Sequence, residues 1–125
     1  MDDLPTELTE GAFRAEDGEY AWKRNALPEV LNKIAALGFA ILGGEVWAVH
    51  EGKIWGTIPT KDGGPSGVWH WEIERRSGET WADFCKRSAK ESLRETLAMR
   101  VEDAVRSDMR ECIYFNICWT DKRDV

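Results

Sequence analysis

Apolar positions along the chain change period several times, and each change marks an element. In NALPEVLNKIAALG, residues 25–38, Leu27, Val30, Leu31, Ile34 and Leu37 recur at helical spacing and line one face. Asn25 is placed to cap this helix. Pro28 falls in the first turn, where a missing N–H does no harm, and Gly38 supplies a left-handed stop. FAIL and EVWAVH read as a strand broken by a bulge at Gly43 and Gly44. A turn at Glu51-Gly52 then leads into KIWGTIP, the second arm of a hairpin.

Pro59 to Gly67, PTKDGGPSG, is dense in turn formers and reads as a surface loop. VWHWEIE follows with strict alternation, which places Trp69, Trp71 and Ile73 on one face and His70, Glu72 and Glu74 on the other. After the turn RRSG, Thr80 and Asp83 form a T-x-x-D variant of the capping box and open a second helix. Its buried stripe reads as Trp81, Phe84, Cys85, Ser88, Leu93, Leu97 and Val101, and its end falls between Met99 and Ala104. In ECIYFNICWT, Ile113, Phe115, Ile117 and Trp119 alternate with Cys112, Tyr114, Asn116 and Cys118, a pattern suited to a central strand with a helix over one side.

Residues 1–23 show no sustained period. They read as an acidic, irregular lead-in with at most one short element, anchored by Phe13, Tyr20 and Trp22. Residues 24–125 then form a single α+β domain, an antiparallel sheet of about four strands with two main helices packed on one face.

Composition narrows the class. A chain of 125 residues is long enough for one core without metal or disulfide support. Seven tryptophans are more than so small a core can hide. No apolar run approaches the roughly 18 residues that cross a bilayer, and MDDLPTELTE is acidic where a secretion signal is basic and then apolar, so a cytoplasmic protein without membrane contact is expected. Three cysteines with no CxxC spacing suit reduced thiols.

The net charge of −6 is concentrated at one end. Asp2, Asp3, Glu7, Glu10, Glu16, Asp17 and Glu19 face Arg14 alone within the first twenty residues, and the rest of the chain balances. Such an arm repels nucleic acid and steers a basic protein toward the surface; it also serves solubility.

Several chemistries have the residue types but not the pattern they need. DGGPSG lacks the GxxxxGK[ST] and GxGxxG patterns and precedes a strand instead of opening a helix, which speaks against a phosphate loop. Ser66, His70 and Glu72 have the residue types of a hydrolase without the nucleophile-elbow spacing. Cys112 and Cys118 sit on an apolar strand, where a thiol acts as a small hydrophobe. Glu45, Glu72 and Glu74 have Arg75 and Arg76 nearby, which favours ion pairing over acid–base work. Lys86, Lys90 and Arg94 share one side of the second helix with acidic neighbours, so nucleic-acid binding is not expected. The alternative kept open is a small hydrolase or metal-dependent protein built around His50, His70 and Glu72, because imidazole and carboxylate ligands suit zinc. The main reading has no catalytic residues, metal or cofactor.

What remains is protein binding, where large rigid side chains concentrate interface energy. The residues assigned to a partner are Glu45, Trp47, Trp55, His70 and Glu72, with Glu16, Asp17 and Glu19 steering the approach.

The succession ALPEVLNKIAALGFAILGGEVWAV, GGPSGVWHWEIE and SGETWADFCKRSAKESL resembles a family of small bacterial immunity proteins from polymorphic toxin systems. The likeness covers roughly Ala26 to Leu93. It implies an α+β fold without catalysis and a cognate secreted toxin domain as partner, and it draws interest to Gly43, Gly44, Glu45, Trp47, Trp69, His70 and Trp71. The acidic arm lies outside it; its charge would suit a basic nuclease toxin. A free sheet edge or a Trp-bearing face would serve a homodimer as readily.

Overall fold

The computed structural model describes residues 4–55, 58, 60, 61 and 69–125. The elements run α1 (Thr6–Thr9), β1 (Phe13–Arg14), β2 (Tyr20–Trp22), α2 (Leu27–Ala36), β3 (Ala40–His50), β4 (Lys53–Trp55), β5 (His70–Glu72), α3 (Trp81–Ala98), α4 (Val101–Ala104) and β6 (Ile113–Thr120). The fold is α+β, with the six strands in one antiparallel sheet. Its order is β1-β2-β6-β3-β4, and β5 joins the same side of β3 that β4 uses further along. The expected loop at 59–67, Ser66 included, lies outside the described residues except for Thr60 and Lys61, and so do Gly56, Thr57 and Pro59 of the KIWGTIP arm.

β3 organises the sheet. β6 pairs along most of its length, and the register slips between Ile41 and Gly43. The slip leaves the Ile41 N–H without a ladder partner, and the Ser88 hydroxyl of α3 accepts it at 2.9 Å. Gly43 has a φ of +141°, a region glycine favours, and a Cβ there would meet the Trp71 carbonyl. At Gly44 the Trp71 ring lies where a side chain would stand. The glycine pair is therefore the seat for Trp71, whose indole N–H donates to the Ser92 hydroxyl at 2.9 Å.

The lead-in departs from expectation. β1 and β2 come from it, and β2 pairs with β6. Leu4, Leu8 and Trp22 join the core, and the Trp22 indole donates to the Leu8 carbonyl at 2.7 Å. Strands of two and three residues are too short to display a period, so only the aromatics signalled them.

The helices need two further corrections. Asn25 lies in a short 3₁₀ turn, Arg24–Ala26, and makes no capping bond to α2. Leu37 and Leu97, placed on buried faces by their spacing, are exposed. The buried stripe of α3 instead runs through Trp81, Phe84, Cys85, Ser88, Ala89, Ser92 and Thr96. Hydroxyls win those positions because Ser88 and Ser92 serve polar groups of the sheet, while Thr96 bonds back to the Ser92 carbonyl at 2.9 Å. The Thr80 cap is present, accepting from the Asp83 N–H at 3.1 Å.

Arg24 closes the far end of α3. It donates to the Thr96 and Met99 carbonyls at 2.8 and 2.6 Å, grips Glu102 with two further bonds, and lies 4.7 Å over the Phe115 ring.

Candidate functional site

The helices α2 and α3 pack on the face of the sheet that carries Ile41, Val46, Trp71 and Phe115. Side chains directly opposite in a register share a face, so the pairings define the other side. One row crosses it as Phe13, Ala21, Asn116, Glu45 and His70. Trp47 with Tyr114 forms the next row one way, and Gly43 with Cys118 and Glu72 the next row the other way.

This face holds a concavity of about 580 Å³ whose rim includes Glu19, Glu45, His70, Glu72 and Glu74, with Asn116 and Cys118 among its lining. None of these four carboxylates makes an ion pair among the described residues. Glu45 is held by the Trp47 indole, which donates to its Oε1 at 2.7 Å. Glu19 is held above the usual carboxylate range, first by its hydrogen bond with Asp17, then by desolvation and by the negative charges of Asp17 and Glu45. The Cys118 thiol is pushed up by burial and by the same two glutamates, Glu19 and Glu45, so it is held as a thiol and not a nucleophile.

The expected partner residues divide. Glu19, Glu45, His70 and Glu72 gather around the concavity. Trp47 lies beside it but is only 7% exposed, edge-on to Phe13 at 6.2 Å. It supports Glu45 more than it offers surface. Glu16 and Asp17 line a neighbouring concavity of about 520 Å³ between the β1–β2 turn and the β3–β4 hairpin, together with Phe13 and Lys53. Trp55 pairs with Ala48 and so belongs to the opposite side of the sheet, its ring packed against His50 at 5.3 Å. Glu74, Asn116 and Cys118 join the concavity without being among the residues the sequence points to. The alternation of ECIYFNICWT with its one amide is the signal that would have found Asn116.

The alternative site does not assemble. His50 stands five residues along β3 from Glu45, the register partner of His70, a separation of roughly 16 Å at about 3.3 Å per residue. Five is odd, so His50 also faces the other way. Its ring contacts Cys112 and Glu51, with Nδ1 4.0 Å from the Cys112 sulfur and Nε2 3.6 Å from Glu51. Among the described residues no group of three histidine, cysteine or carboxylate side chains is placed to share a metal ion.

No described helix is long and apolar enough to cross a membrane. No curated protein and no solved structure matches the chain. The family model described as Immunity protein 40 matches residues 10–118, which takes in both arms of the β1–β2 hairpin and all of the concave face. The chain therefore belongs to the Immunity protein 40 family.

Proposed function

We propose that this immunity protein neutralises a cognate secreted toxin domain by binding it directly, without catalysis, in the cytoplasm of the bacterium that makes both. The concave face of the sheet is the binding surface, and it acts by covering the toxin's active cleft or substrate surface.

One observation carries the reading: four glutamates stand around one concavity with no ion pair among the described residues, on the sheet face opposite α2 and α3, in a member of an immunity family. Unpaired charge of one sign speeds encounter with a basic partner and rejects wrong ones. A toxin whose cleft is built for phosphate, such as a nuclease, would present the complementary charge.

The test is survival. Cells expressing the toxin domain encoded beside this gene are expected to grow when this chain is co-expressed, and to die when it carries Glu45→Lys with Glu72→Lys while still folded by circular dichroism. Equal rescue by the two would remove the concave face from the mechanism.

A further inference from the structure

The lining of the concavity has a bias that net charge alone does not describe. Asn116 is only 2% exposed, and its amide orientation is fixed, because Nδ2 donates to the Tyr20 carbonyl at 2.9 Å. Its Oδ1 therefore faces the other way, and its partner there is the Cys118 thiol at 3.8 Å, a weak donor. A buried amide oxygen served so poorly has acceptor capacity to spare.

Around it stand the carboxylates of Glu19, Glu45 and Glu72, each from a different segment. Glu45 is fixed by the Trp47 indole, and Glu19 is tied to Asp17 through its own backbone N–H, which donates to Asp17 Oδ1 at 3.0 Å. Like charges held in place near one another without a counter-charge repel, and a cation entering between them relieves that repulsion. Asn116, Glu45 and Glu72 lie on β6, β3 and β5, successive strands about 4.8 Å apart, and Glu19 immediately precedes β2, which borders β6 on its other side. A compact ammonium is a point charge, whereas a planar guanidinium presents five donors in a fork and stacks on aromatic rings such as His70.

We infer that the concavity is a receptor for an arginine side chain presented by the toxin, gripped between Glu19, Glu45 and Glu72 with the Asn116 oxygen as a further acceptor. This rests on the concave face being the toxin-binding surface and adds the chemistry of what enters it. Trp47 is a positioning residue, aiming Glu45 without touching the guanidinium.

Amide chemical shifts of the full labelled chain, titrated with hexa-arginine and separately with hexa-lysine, test this. Saturable shifts are expected at residues 19, 43–45, 70–72 and 116–118, with hexa-arginine binding more tightly. Glu19→Gln with Glu72→Gln should weaken hexa-arginine binding at least tenfold, and Glu72→Gln alone provides the same comparison if the pair perturbs the spectrum. Glu95→Gln with Asp124→Asn, which removes the same charge from exposed positions elsewhere, should change it less than twofold. Equal weakening by the two pairs, shifts spread over every acidic residue, or equal binding of the two peptides would overturn the inference. Loss of rescue by the Glu45→Lys/Glu72→Lys chain with no saturable shift at these residues would overturn the guanidinium and leave the toxin-facing role standing. Saturable arginine binding with undiminished rescue would instead overturn the toxin-facing role.

Discussion

On the helix side of the molecule Glu79 and Glu91 are gripped by Arg87 at 2.6 and 2.7 Å, and Arg24 holds Glu102 with a two-pronged bond. Across the sheet, Glu45 and Glu72 stand on adjacent strands, and neither makes an ion pair among the described residues. One side chain type is thus used in two ways. The paired glutamates tie the β5–α3 connection and the end of α3 to the rest of the fold, while the unpaired ones add repulsion to a surface whose backbone is already fixed by β3, β5 and β6. Folding gains from the first arrangement and loses from the second, so the same substitution should have opposite consequences in the two places.

The largest effect on stability is expected at Arg87. Its side chain is 16% exposed, and besides the two glutamates it donates to the Glu74 carbonyl at 2.6 Å. Arg87→Met keeps the aliphatic stem but leaves Glu79 and Glu91 without their main partner in a half-enclosed place. A loss of about 2–3 kcal/mol is expected, read as a lower urea midpoint at unchanged slope. Rescue from the toxin should fall only as far as the folded fraction falls. A variant as stable as the parent would show that the network does not hold the connection.

A smaller effect is expected at Trp47. Trp47→Phe retains packing against Phe13 and Tyr114 and removes the N–H that aims Glu45. Stability should change by about 1 kcal/mol, the worth of one hydrogen bond, offset in part because Glu45 becomes free to hydrate. Toxin affinity measured by calorimetry should fall by a larger factor than stability predicts. If the two fall in proportion, Trp47 is framework and nothing more.

How far the sequence carried this comparison depends on scale. Long periodic segments were legible: α2 through Leu27, Val30, Leu31 and Ile34, α3 through its Thr80 cap, and β5 through an alternation that placed His70 and Glu72 outward. What escaped was decided by tertiary partners. Ser92 and Thr96 displace Leu97 from the buried stripe because an indole and a helix carbonyl need hydroxyls there. β1 and β2 are too short to show a period, yet they bring Glu19 to the concavity, because Ala21 pairs with Asn116. The separation of His50 from His70 and of Trp55 from Trp47 depends on register, which a one-residue shift would reverse.

The smallest expected effect is on acid stability, where the two regions should pull in opposite directions. Hydrogen bonds from Arg87 hold Glu79 at about 2, below its ordinary 4.5. A depressed carboxylate stabilises the fold fully above its unfolded value, and that contribution is lost as pH falls from about 4.5 toward about 2. Glu19 is shifted upward, so its ionised form opposes folding, and the opposition is relieved as pH falls through its raised value. Urea midpoints between pH 7 and pH 3 should therefore decline less steeply for Glu79→Gln than for the parent, from a lower start. Glu19→Gln should start level with or above the parent and decline more steeply, since the compensating gain is gone. If both variants follow the parent's slope, neither carboxylate is held where its surroundings place it, and the contrast between the paired and unpaired sides of the sheet loses its energetic content.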